Sequence, residues 1–159
     1  RDRDVTGVQT CALPIWRVGI LFAENATISG SMGGCQAETG VAAAMAAAII
    51  TDLFNGDAKA IESAASLALG NVLGLVCDPI AGAVEIPCMQ RNVLGAMNAV
   101  VSAEMALAGI DAVVPLDEMI KAMKEVSDMM DPALKDTLGG GISNTKTARR
   151  IEHSLRIGG

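Results

Sequence analysis

The sequence predicts an all-α fold, and three observations carry the prediction. Apolar residues recur at helical spacing through most of the chain, and no alternation of period two is sustained anywhere. Asparagine, glycine and proline fall at intervals that suit helix ends. The composition is 51% hydrophobic but only 2% aromatic, with nine methionines and no tyrosine. A core of that kind is filled by Ala, Leu, Ile, Val and Met, and alanine favours helices whose axes approach closely. At 159 residues, one domain is expected.

The elements follow in order. Residues 1–16, RDRDVTGVQTCALPIW, share none of this texture and read as translated sequencing-adapter sequence. They are set apart from the helical domain at 17–159, and Cys11 goes with them. Residues 20–34, ILFAENATISGSMGG, form an apolar entry into a loop of small residues, with Gly30, Gly33 and Gly34 free to take positive φ. Cys35 closes that loop. A helix is expected from Gln36 to Phe54, stopped by Asn55-Gly56. Asp57 then suits an N-cap for a helix over 58–72, with Ile61, Ala64, Ala65, Ala68 and Leu69 at helical spacing. Met89 to Gly109 predicts a third helix. Pro115 opens a fourth reaching Met130, with Met119, Ile120, Met123 and Val126 toward the core. LGGGISN at 138–144 is a flexible or tightly turned loop, and a last short helix runs over 146–155.

Charge and hydropathy exclude several function classes. A formal charge of -6 argues against nucleic acid, whose phosphates need a basic surface. Lys146, Arg149, Arg150 and Arg156 cluster near the end, as a solvated helix face does. The longest uncharged runs near the middle, such as TGVAAAMAAAIIT, are about thirteen residues, short of a bilayer span. Nor does Arg-Asp-Arg-Asp begin a signal peptide, so the thiols are expected in a reducing cytoplasm. There, spaced cysteines point to metal or catalysis before disulfides.

The stretch VCDPIAGAVEIPC, residues 76–88, carries the chemistry. Pro79 keeps the residue before it out of the helical region, so the chain must leave its preceding helix near Cys77. Pro87 breaks structure before Cys88, which then starts a helix, as Cys35 does after its glycine loop. At a helix start, free N–H groups and the helix dipole favour thiolate over thiol. Thiolates are the donors a soft metal centre needs, whereas free cysteines also serve as small buried hydrophobes. The three cysteines are expected to converge although Cys35 and Cys77 stand forty-two positions apart.

ENATISGSMGGCQAETG at 24–40 and LGLVCDPIAGAVEIPCMQRN at 73–92, with the spacing of Cys35, Cys77 and Cys88, resemble the α-chain signature of bacterial iron–sulfur L-serine dehydratase (L-serine ammonia-lyase). The resemblance runs from about residue 17 to the C-terminus. It implies that Cys35, Cys77 and Cys88 hold a [4Fe–4S] cluster whose fourth iron stays open as a Lewis acid. L-serine would lose its Cα proton and its hydroxyl, and the product would hydrolyse to pyruvate and ammonia. The resemblance further implies a β chain or β domain as partner and an oligomer. It places the catalytic histidines in an N-terminal segment of the α chain or in the β chain. Here only His153 is present, read as solvated surface, so the base is expected outside this sequence.

Remaining candidates for substrate contacts are Asn25, Thr27, Ser29 and Ser31 in the small-residue loop, with Arg91 and Asn92 after Cys88. Arg91 would suit a carboxylate as a bidentate partner. For the loop residues, hydrogen bonds to the local backbone are the competing role. Asp78 and Glu85 are read as structural. The rival reading of the whole chain is a helical binding or interaction module with structural zinc or no metal. Closed zinc would need a fourth ligand, and His153 is the one histidine available.

Overall fold

The computed structural model describes residues 7–157, with side chains from Ile15 onward. Among the described residues the elements are helices and turns with no β-strand, so the chain is all-α. The helices are α1 (Gly7–Asn25), α2 (Gly30–Gly33), α3 (Val41–Leu53), α4 (Ala58–Gly70), α5 (Cys88–Leu107), α6 (Leu116–Met129) and α7 (Lys146–Ile157). Cys11 lies outside the described side chains. α1 crosses residue 16 without a break, burying Val18 and Phe22 while Trp16 is 67% exposed.

α3 is the central element and packs against α1, α4 and α5. Its buried positions are Val41, Ala43, Ala44, Ala47, Ala48 and Thr51, so little bulk separates it from its neighbours. Larger side chains enter the same core from around it: Phe22 of α1, Leu69 of α4 and Met123 of α6 are fully buried. Of the expected stripe on α6, Ile120 and Met123 are buried and Met119 packs against the core, while Val126 is half-buried outside it.

Helix ends follow their local signals. Asn55 turns the chain at φ 67° after α3, and Asp57 caps α4 by accepting from the Ala60 N–H at 2.8 Å. α4 stops at Gly70, two residues before the expected end. The expected helix from Gln36 is a π-helical turn over Gln36–Gly40 that continues into α3.

The glycines before it differ from expectation. Of Gly30, Gly33 and Gly34, only Gly34 has positive φ, at 77°. Gly30 and Gly33 are helical, and space decides them: a Cβ on Gly33 would stand 2.7 Å from Ala37 Cβ and 2.9 Å from Ser127 Oγ.

Candidate metal centre

Each cysteine is set by a different local device. Cys35 follows Gly34 and leads into the π-helical turn. Its neighbour Gln36 is fully buried and ties three segments together. The Gln36 Nε2 donates to Ser127 Oγ at 2.9 Å and to the Met123 carbonyl at 3.3 Å, while its Oε1 accepts from the Gly74 N–H at 2.7 Å. The Gln36 backbone N–H also donates to the Leu75 carbonyl at 2.9 Å. The turn bearing Cys35 is thereby fixed to the segment leading into Cys77. Sequence reasoning missed Gln36; a lone amide heading an apolar helical run was the available signal.

Cys77 sits on extended chain beside Lys135. Its N–H donates to the Leu134 carbonyl at 2.8 Å, and its carbonyl accepts from the Asp136 N–H at 2.7 Å. Cys88 is the first residue of α5, directly after Pro87, as the proline placement suggested. Cys77 and Cys88 line one cavity of about 280 Å³, shared with Ile28, Ser29, Gly30, Ser31, Glu38, Val84 and Asp136. Cys35 is buried next to Cys77, and the two sulfurs are direct electrostatic neighbours. The structure therefore brings the three cysteines around one place. Among the described residues, no three His, Cys, Asp or Glu side chains close around a single metal ion.

The Cys88 thiol departs from the expectation of its helix start. Burial, followed by the charge of neighbouring Cys35, pushes the Cys77 thiol up to about 12. Burial, then Cys35 and Glu38, also raise Cys88, outweighing Arg91 and the helix-start amide, which lower it. Desolvation and crowded sulfurs win over the dipole. A cationic metal centre held by these thiols would reverse that balance by binding the deprotonated form.

Behind the cysteines lies a buried charge pair. Asp78 is 1% exposed and accepts from Arg91 Nη1 at 2.7 Å and from the Ile142 N–H at 2.6 Å. The same Arg91 nitrogen donates to the Val76 carbonyl at 2.7 Å and reaches Cys35 Sγ at 3.6 Å. Burial opposes the Arg91 charge, but Asp78 and Cys35 more than offset it and raise its pKa. Gly141, at φ 61°, passes directly over the carboxylate; a Cβ there would stand 2.2 Å from Asp78 Oδ2. The glycine loop is thus tightly turned, and Asp78 is structural as expected.

The other candidates separate. Ser29 and Ser31 line the cysteine cavity and bond to each other at 2.9 Å. Thr27 Oγ1 accepts from the Ser29 N–H at 3.1 Å, a local role. Asn25 is exposed and donates to the Leu21 carbonyl at 2.8 Å in its own helix. Asn92 faces a different cavity, with Thr39 and Gly95, and accepts from Thr39 Oγ1 at 3.5 Å. Arg91 spends one nitrogen on Asp78 and Val76, and its side chain is 12% exposed. Glu85 and His153 are exposed. Sequence reasoning gave Glu38 no substrate role, yet its side chain reaches the cavity.

The family model described as "Serine dehydratase alpha chain" matches residues 16–143. A probable L-serine dehydratase alpha chain of Bacillus subtilis (strain 168) is 48% identical over 137 residues, covering 86% of this chain and 46% of the relative. The L-serine dehydratase alpha chain of Peptoniphilus asaccharolyticus is 46% identical over 152 residues, covering 96% of this chain and 52% of the relative. L-serine dehydratase 1 of Escherichia coli (strain K12) is 40% identical over 127 residues, 79% of this chain and 28% of that protein. The chain spans about half the length of the first two, and by its matched residues it belongs to the serine dehydratase alpha chain family.

Proposed function

We propose that this chain carries the [4Fe–4S] centre of an iron–sulfur L-serine ammonia-lyase that converts L-serine to pyruvate and ammonia, with Cys35, Cys77 and Cys88 as ligands. The observation that carries the reading is the meeting of the three sulfurs, two on one cavity and the third beside them. Three soft donors with no disulfide between them suit such a centre. When bound, the cluster supplies an iron without a protein ligand, a Lewis acid for a poor leaving group.

The chain's own residues then have distinct tasks. The Asp78–Arg91 pair and the Ile142 N–H hold the loop that presents Cys77. Gln36 holds the turn that presents Cys35. Ser29 and Ser31 offer hydroxyls at the cavity wall for polar groups of the substrate. His153 is exposed on α7, so the acceptor of the Cα proton is assigned to the rest of the α chain or to the β chain.

A partner also suits the outer face of α5. Met89, Val93, Leu94, Met97, Val100 and Val101 are 41–66% exposed along it, a larger apolar stripe than solvent favours. We assign that face to assembly with the β chain in an oligomer. No helix of the described residues is long and apolar enough to cross a membrane. Residues 1–16 remain, in our reading, adapter-derived, and we assign the enzyme to the cytoplasm.

Pyruvate formation from L-serine tests the assignment. The chain reconstituted without air should be inactive alone and active with the remaining α segment and the β chain. A general base contributes about 10²–10⁴-fold in rate. Robust turnover by the isolated chain would place the base within it.

A further inference from the structure

We propose that Glu38 recognises the α-ammonium group of the amino-acid substrate. This rests on the serine dehydratase reading and adds to it the residue that selects an amino acid over an amine-free hydroxy acid. Glu38 lies in the π-helical turn three residues after Cys35, an irregularity found often at functional sites. Its side chain lines the cavity of Cys77 and Cys88, on which no basic side chain opens. Among the described residues its carboxylate makes no hydrogen bond or ion pair. Asp78, the buried acid nearby, is by contrast fully engaged with Arg91 and Ile142.

Gly30 makes the placement possible. A Cβ there would stand 2.6 Å from Glu38 Oε2 and 3.5 Å from Cys77 Sγ, so a side chain at this position would intrude between carboxylate and thiol. With glycine, the two face a common space. In the proposal, a small ligand in that space offers its ammonium group to Glu38. Ser29 and Ser31 line the same cavity. Asp136 also borders the cavity, and both acids are exposed; Asp136 stands on a turn at φ 59°, whereas Glu38 is on a helical element continuous with α3. Sites on such elements hold their geometry better. A carboxylate on a cavity wall that carries no basic side chain suits a cationic ligand group, and ammonium–carboxylate hydrogen bonds are charge-assisted.

The test uses the complete cluster-loaded enzyme and two ligands, L-serine and 3-hydroxypropanoate, which keeps the carboxylate and hydroxyl but lacks the amine. Binding is read from the change each causes in the visible absorption of the cluster, with KM and kcat for serine measured alongside. Glu38→Gln should weaken serine binding by about 10- to 100-fold, the loss of one charged hydrogen bond. It should leave 3-hydroxypropanoate binding unchanged or tighter, and Glu38→Asp should recover part of the serine affinity. Equal weakening of both ligands, or no change in serine binding, would overturn the role of Glu38 and leave the dehydratase reading intact. A wild-type enzyme that takes up no cluster or binds no serine would overturn both.

Discussion

Around α3 the packing is almost purely apolar and made of small residues, whereas around Cys77 it is a set of polar contacts on a buried charge. Ala43, Ala44, Ala47 and Ala48 let α1, α4 and α5 close on α3 with no directional bond among those side chains. Asp78, Arg91 and Gln36 instead hold loops through hydrogen bonds that each need a particular partner. The first region tolerates exchange within a size class. The second fails when one member is removed, because the others are left buried and unpaired. The difference places rigidity where a cluster would need three thiols held in register.

Removing Asp78 should break the comparison most severely. Asp78→Ala leaves Arg91 without its carboxylate and the Ile142 N–H without an acceptor, and should cost about 3–5 kcal/mol in chemical denaturation. The double variant Asp78→Ala, Arg91→Met should recover much of that loss. If the single variant unfolds at the wild-type midpoint, the clamp holds nothing.

Overfilling the apolar region should cost less. Ala44 is fully buried on α3, and Ala44→Leu should destabilise by about 1–3 kcal/mol as α3 and its neighbours are forced apart. Cluster content should survive this change at temperatures below the lowered melting point. A stable Ala44→Leu protein would mean the bundle is looser than its alanines imply.

The smallest effect belongs to a local device outside both regions. Asp57→Ala removes the cap on Ala60 and should lower stability by about 1 kcal/mol, with no change in iron uptake.

The same division decides what the sequence could reveal. Asn55, Asp57, Pro87 and Pro115 act within a few residues of themselves, and the helix ends they signal are where the structure has them. The cysteine spacing and its neighbouring prolines likewise pointed to one place. The polar shell was not legible, because its partners are remote: Asp78 meets Ile142 sixty-four residues on, and Gln36 meets Ser127 ninety-one residues on. Arg91 reads in sequence as free for a substrate carboxylate, and the structure pairs it with Asp78. Thiol acidity followed the same rule, since the helix start is a local property and burial among other sulfurs is not. Gly30 reads in sequence as a turn glycine, and the space it leaves between Glu38 and Cys77 depends on three separate segments.

The most direct measurement is iron and sulfide content after reconstitution without air, with the visible absorption spectrum, for the wild-type chain and for Cys35→Ala, Cys77→Ala and Cys88→Ala. The account predicts about four iron and four sulfide per wild-type chain with a broad visible band, and loss of both in each variant. A colourless wild-type protein binding one tight zinc would contradict it, as would full iron and sulfide retained when any one of the three cysteines is replaced.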